Sequence, residues 1–258
     1  MSEERPGTSR GTYADKQLGS RFSLMSWSHR ARFEKALELT AAQAGTPFLD
    51  YGCGDGTLLT LVRPRVPLAV GLEVDAALVA DCRARLGGDP QLRFLHVSEA
   101  ATLADGSFGA VVCTEVLEHC LPEAVDSVLA ELKRLVARTG VVVISVPIET
   151  GLPLVVKQAA RAVAARFVHA HYAQRERYSA GEMMRMLTAG DAPPIPRPVY
   201  ETAFADGHPN RYHGHKGFNW RVLRGRIERD FTLETHFSPL GALGPQVNSQ
   251  AWFTCRPR

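Results

Sequence analysis

Five short apolar runs punctuate the first 150 residues, centred near Phe48, Val70, Phe94, Val112 and Val143. They are near-continuous rather than alternating, as strands buried on both faces require. Amphipathic segments separate them. The clearest begins at Leu121: Leu121, Val125, Val128, Leu129, Leu132, Leu135 and Val136 share one helical face, with Glu123, Asp126, Glu131 and Lys133 off it. Strands alternating with helices predict a parallel sheet covered on both faces, with any ligand beyond the carboxyl ends of the strands. Upstream, Leu18 to Thr40 predicts a helix with Trp27, Ala31, Phe33, Ala36 and Leu37 on one face and Arg30, Arg32 and Lys35 elsewhere. Met1 to Gly11 is polar and reads as a disordered tail.

After Pro147 the rhythm changes. Residues 152–172 are helical and basic-apolar, and a shorter helix is expected over 180–189. Asp191 to Pro198 is too proline-rich for either regular structure and reads as a lid connection. A helix near 219–229 and strands near Phe231–His236 and Ala251–Thr254 complete the chain. The expected organisation is an N-terminal tail and helical arm (1–44), a ligand-binding core (45–150), a basic helical insertion with a proline-rich lid (151–216), and a closing helix and strand hairpin (217–258).

The first strand runs into Asp50-Tyr51-Gly52-Cys53-Gly54-Asp55-Gly56. Three spaced glycines permit positive φ and remove Cβ atoms, so backbone amides can approach a small ligand. The second strand ends in Glu73, 23 residues after Asp50. That is close to the roughly 20-residue offset at which a second-strand carboxylate takes ribose hydroxyls in nucleotide-binding sheets. A dinucleotide fingerprint does not fit, because the third glycine comes one residue early.

These motifs closely resemble the class I S-adenosylmethionine-dependent methyltransferases. The resemblance rests on the glycine turn, on Gly71-Leu72-Glu73-Val74-Asp75, on Val97-Ser98-Glu99-Ala100 through Phe108, and on Ala110 through His119, in family order. It implies a Rossmann-like, seven-stranded α/β sheet closed by a C-terminal hairpin. It also implies S-adenosylmethionine as cofactor, with Asp50, Gly52, Cys53, Gly54, Glu73, Glu99, Ala100 and Glu115 in its site. Two positions depart from the family pattern, which carries Asp where Glu73 stands and often Asp at Glu99. Each keeps the carboxylate on an arm one methylene longer.

Methyl transfer from a sulfonium is an in-line displacement, and a hydroxyl acceptor must also lose a proton. Glu115-Val116-Leu117-Glu118-His119 stands where the resemblance puts the methyl group. Glu118 and His119 are therefore the candidate catalytic residues. One helical turn would bring Glu115, Glu118 and His119 together as oxygen and nitrogen ligands for a divalent cation such as Mg. The string is also similar to that of ubiquinone-pathway O-methyltransferases and of small-RNA 2′-O-methyltransferases. The latter bind metal with a further downstream histidine, for which His215 is the candidate and His213 its neighbour. In many family members the same string lines the pocket without metal. His169 and His171 read as helix surface.

Charge is divided unevenly. Residues 45–150 carry 8 Lys/Arg against 14 Asp/Glu, whereas residues 151–230 carry 13 against 7, within a net charge of +3. A basic second half suits an anionic metabolite, a glycolipid or a nucleic acid, or is a solvated surface. The leading expectation is O-methylation of a small-molecule, saccharide or lipid-linked acceptor. The alternatives are a metal-dependent RNA ribose methyltransferase, with Tyr172, Arg175, Arg177 and Tyr178 as its aromatic and basic contacts, and a non-catalytic cofactor-binding regulator. Five cysteines without a C-x-x-C pair point to a reducing compartment. Without an apolar leader or an 18-residue apolar run, the chain is expected to be cytoplasmic.

Overall fold

A computed structural model describes residues 24–167, 177–204 and 206–258, with the side chains of 24–30 and 162–167 left aside. The expectations for Met1–Gly11, the Trp27 side chain, His169, His171, Tyr172 and Arg175 lie outside the described residues.

In chain order the elements are α1 (Leu24–Leu39), β1 (Phe48–Tyr51), α2 (Thr57–Val62), β2 (Ala69–Glu73), α3 (Ala76–Leu86), β3 (Leu92–His96), β4 (Phe108–Thr114), α4 (Pro122–Leu135) and β5 (Val136–Pro147). There follow α5 (Gly151–Phe167), α6 (Ala180–Leu187), β6 (Val199–Ala203), β7 (Pro209–His213), α7 (Trp220–Ile227), β8 (Phe231–Ser238) and β9 (Gln250–Pro257). Seven strands form one sheet in the order β3-β2-β1-β4-β5-β9-β8. The first five are parallel, and β9 runs antiparallel to both neighbours.

The continuous apolar runs are explained by cover on both faces. Leu49, Val111, Cys113, Val142, Ile144 and Phe253 point to one face, beneath α4 and α7. Phe48, Ala110, Val112, Val143 and Trp252 point to the other, beneath α1, α2 and α3. Val125, Val128, Leu129, Leu132 and Leu135 of α4 are buried, as its spacing requires. Trp252 is fully buried, and its indole N–H donates to Ser238 Oγ at 2.9 Å, so its polar atom is satisfied.

Three features differ from the sequence reading. The β5 strand starts at Val136, directly at the end of α4, and meets β4 with a register shift between Phe108 and Ala110. The segment after Pro198 contains a two-stranded antiparallel hairpin, β6–β7, in a region expected to be helical and lid-like. Its tip carries Asp206-Gly207, with Gly207 at φ +85° and Phe204 N–H donating to His208 O at 2.9 Å. Arg32 also differs. Expected off the apolar face of α1, its side chain is largely buried and lies 4.0 Å from Glu115.

Leu132 is fully buried between α4 and the sheet. Leu132→Ala is expected to cost about 2–5 kcal/mol, read as a lower urea midpoint with unchanged slope.

Candidate functional site

Parallel strands bring their carboxyl ends to one edge, and the sequence-predicted residues gather there. The glycine turn leaves β1 with Gly52, Gly54 and Gly56 at φ +84°, +54° and +78°. Gly52 and Cys53 N–H both donate to Leu72 O, at 2.7 and 3.0 Å, which ties the turn to β2. Side chains are excluded at two of the three glycines. A Cβ on Gly52 would meet Val116 Cγ2 at 2.3 Å, and one on Gly56 would meet Phe94 at 2.9 Å. Above Gly54 nothing lies within 4 Å. The turn is therefore packed from below and open above.

Glu73 closes this arrangement. Its Oε2 accepts from Gly54 N–H at 2.9 Å, and its Oε1 accepts from Val74 and Asp75 N–H at 2.8 and 3.1 Å. One buried carboxylate thus holds the glycine turn and the β2 end in a single cleft. Asp50 lies beside it, 3 % exposed, with Oδ1 lacking a hydrogen-bond partner among the described residues. Burial first, and then the Glu73 charge, push the Asp50 carboxyl up to about 7. Cys53 turns its side chain into the core against Leu59 and Gly71 and offers the cleft only backbone. Ala100 is buried in the short helix after β3.

Glu99 takes a different place from the one expected. Its Oε2 accepts from His96 N–H at 2.9 Å and from Arg83 at 3.0 Å, so the carboxylate caps its own short helix. A capping box at this position satisfies a backbone donor and turns the side chain away from a ligand.

At the end of β4, Glu115 is the one non-glycine residue with positive φ (+57°) among the described residues. Such a backbone costs about 1–3 kcal/mol and is held by its surroundings. Here Glu115 N–H donates to Ser145 O, and Glu115 Oε1 accepts from Ser145 Oγ and Gln250 Nε2 at 3.4 and 3.3 Å. These partners and Arg32 draw Glu115 out of the expected ligand cluster.

That cluster has three members, Glu118, His119 and His215, whose donor atoms all lie within 4.8 Å of one another. The Glu118 side chain is fully buried, and neither carboxylate oxygen has a hydrogen-bond partner among the described residues. Burial, and then the Glu115 charge, push its pKa well above the carboxylate range. His119 Nδ1 donates to His213 O at 2.9 Å, while His213 N–H donates to His119 O at 2.9 Å. The hairpin is thereby clamped to the β4 turn. The His119 ring is partly exposed, and the desolvation it does suffer lowers its pKa. His213 is spent on structure: its ring is buried and bonds Pro198 O through Nδ1 at 2.7 Å. Arg197 joins the same loops, donating to Glu118 O and, at 3.0 Å, to Gly214 O.

Sequence reasoning missed three participants. Arg32 comes from α1, Arg197 from the proline-rich segment and Glu149 from just past β5. Glu149 is visible only once the fold sets it against His215, with Nδ1 and Oε1 3.2 Å apart.

Residues 49–144 match the family model described as "Methyltransferase domain". The uncharacterized methyltransferase Rv0089 of Mycobacterium tuberculosis is 29% identical over 115 residues, 44% of this chain and 57% of that relative. A probable S-adenosylmethionine-dependent methyltransferase of Mycolicibacterium smegmatis is 33% identical over 40% of this chain and 39% of its own length. The match thus spans 57% and 39% of the length of these two curated relatives. Among solved structures, the PH0226 protein from Pyrococcus horikoshii aligns over 93% of this chain and 95% of its own, at TM-score 0.58 and 12% identity. A DhpI complex with S-adenosylhomocysteine aligns over 95% and 91%, at TM-score 0.55 and 13% identity. Strand order, the glycine turn and the matched sequence agree: the chain carries a class I S-adenosylmethionine-dependent methyltransferase domain.

Proposed function

We propose that the chain transfers the methyl group of S-adenosylmethionine to a hydroxyl of a small-molecule, saccharide or lipid-linked acceptor. The observation that carries this reading is the common carboxyl edge of adjacent parallel strands, with the glycine turn and Glu73 at one place and Glu118, His119 and His215 at the next strand end. The cofactor supplies an electrophilic methyl on a sulfonium.

The chain's own residues fit that group. Gly54 leaves open space over the turn for its amino-acid end, while Gly52 lets the turn pack closely on Val116. Asp50, with an oxygen still to be paired, sets a carboxyl against the cofactor's ammonium. Glu73 has three backbone donors on roughly four acceptor sites, which leaves room for a ribose hydroxyl. Ala100 leaves space beside the adenine, and Glu99 contributes its capped turn rather than a side-chain contact. Glu115 braces the β4 end through Ser145 and Gln250. His119, with Nδ1 engaged by His213 O, keeps Nε2 as a lone-pair acceptor that can orient an acceptor hydroxyl. Beside it lies the fully buried Glu118 carboxyl, its Oε1 3.8 Å from His119 Nε2.

A second reading is favoured by the same cluster: a divalent cation held by Glu118, His119 and His215. Two imidazoles with one carboxylate suit a transition metal better than Mg, which prefers an all-oxygen shell. The RNA alternative finds less support. Tyr178 packs against Leu154, Met186 and Ile195, with Lys216 Nζ 5.4 Å over its ring, so it is committed to folding rather than to base stacking.

Cofactor affinity is expected to depend on pH through Asp50. The ligand-free carboxyl, near 7 rather than its ordinary 3.8, must lose its proton to face a cation. Affinity should therefore fall by up to about tenfold per unit below that point and flatten above it. Asp50→Asn should bind more weakly and with no such slope in calorimetry. Stability of the ligand-free chain carries the opposite sign. The native state holds the Asp50 proton between about 4 and 7, so this group destabilises it as pH rises through 7.

Labelled methyl transfer into fractionated cell extract identifies the acceptor. With that acceptor, His119→Gln should lower turnover roughly 10²–10⁴-fold with cofactor affinity unchanged. Loss of transfer on chelation, restored by a transition metal, would select the cation reading. Transfer unaffected by chelator would remove it, and label in RNA rather than in lipid or sugar fractions would overturn the acceptor class.

A further inference from the structure

Glu149 is not among the residues assigned to the cofactor, and it is among the most buried charges of the described residues, 1 % exposed at the side chain. It follows the end of β5 at the active edge. Its Oε1 accepts from Lys157 Nζ at 3.0 Å and Arg161 NH2 at 3.3 Å, both from α5, and stands 3.2 Å from His215 Nδ1. Lys157 is itself anchored, donating to Ile148 O and Ser249 O at 3.0 and 3.2 Å. Burial alone would push the Glu149 carboxyl up, but Lys157, the His215 hydrogen bond and Arg161 bring it down to about 2.

An oxygen that already faces the two cations Lys157 and Arg161 accepts from a third partner rather than donating to it. The Nδ1–Oε1 contact therefore requires the hydrogen on His215 Nδ1, which leaves Nε2 with the lone pair. The neighbouring ring, His119, 5.1 Å away between centroids, is set the same way by a backbone carbonyl. Two imidazoles of one tautomer thus face a fully buried carboxyl group. In free imidazole that tautomer is not fixed, so the protein must impose it.

We propose that Glu149 is a positioning residue of the acceptor site: it locks His215 as the Nδ1–H tautomer and so keeps Nε2 as a lone-pair acceptor within the Glu118–His119 cluster. The pairs with Lys157 and Arg161 keep the carboxylate charged and aimed. This rests on the reading of that cluster as the place where the acceptor is handled, but its central observable needs no acceptor.

The test is long-range ¹H–¹⁵N correlation on full-length protein labelled at histidine, with His215→Gln assigning the signals. Wild type should show His215 with hydrogen on Nδ1. Glu149→Gln, whose amide oxygen can still accept, should retain it. Glu149→Leu should lose that signature and give the Nε2–H or averaged form, with the fold checked by unchanged cofactor binding. Wild-type His215 with hydrogen on Nε2, or a signal untouched by Glu149→Leu, would overturn the proposal. Should the leucine variant not fold, the wild-type tautomer and its retention in Glu149→Gln still decide. In the methyl-transfer assay, Glu149→Leu should lower kcat in the wild-type background and add nothing to His215→Gln. Additive losses would mean that Glu149 only neutralises Lys157 and Arg161, and would equally overturn it. Absence of transfer by wild type, with the expected tautomer present, would instead sink the methyl-transfer reading alone.

Discussion

One carboxylate organises the cofactor edge. Glu73 collects the amides of Gly54, Val74 and Asp75, and so fastens the turn after β1 to the end of β2. A glycine turn with three positive φ values would otherwise be free to sample many conformations. Tied to Glu73 and to Leu72 O, it becomes a fixed floor. Burial, and then the Glu73 charge, raise the neighbouring Asp50 carboxyl to about 7. Two adjacent carboxyl groups at this edge are what the proposed docking of a cationic nucleoside requires.

The proposed acceptor side is assembled from distant sequence. Glu118 and His119 follow β4, Glu149 follows β5, and His215 follows the β6–β7 hairpin. Three ties hold them in register: the paired His119–His213 hydrogen bonds, the Arg197 bridge between Glu118 O and Gly214 O, and the His215–Glu149 contact. Each joins the insertion to the sheet edge, so the site is complete only when the insertion is folded against the core. The positive φ at Glu115 belongs to the same region, where backbone strain is stabilised by Ser145 and Gln250.

Much of this was legible from the chain alone, for physical reasons. Buried parallel strands must read as unbroken apolar runs, and the glycine spacing with a carboxylate 23 residues on is a local signal, so the core and the cofactor end could be placed by number. The hairpin was overlooked because prolines and histidines obscured its alternation, although Asp206-Gly207 was a usable turn signal. Arg32 was misplaced because a buried arginine paired with carboxylates looks, by periodicity, like a solvated one. Glu99 was given a ligand role, and its engagement as a helix cap is a contact that the motif spacing does not display. Glu149 carries no local pattern at all. Its meaning comes from a contact with a residue 66 positions away.

The most direct test of the central claim is a crystal structure grown with S-adenosylhomocysteine. The nucleoside is expected across the carboxyl edge, with its amino-acid end over Gly52–Gly54 and its ribose on the Glu73 carboxylate. A nucleoside bound elsewhere, with the Glu73–Gly54 cleft untouched, would contradict the account.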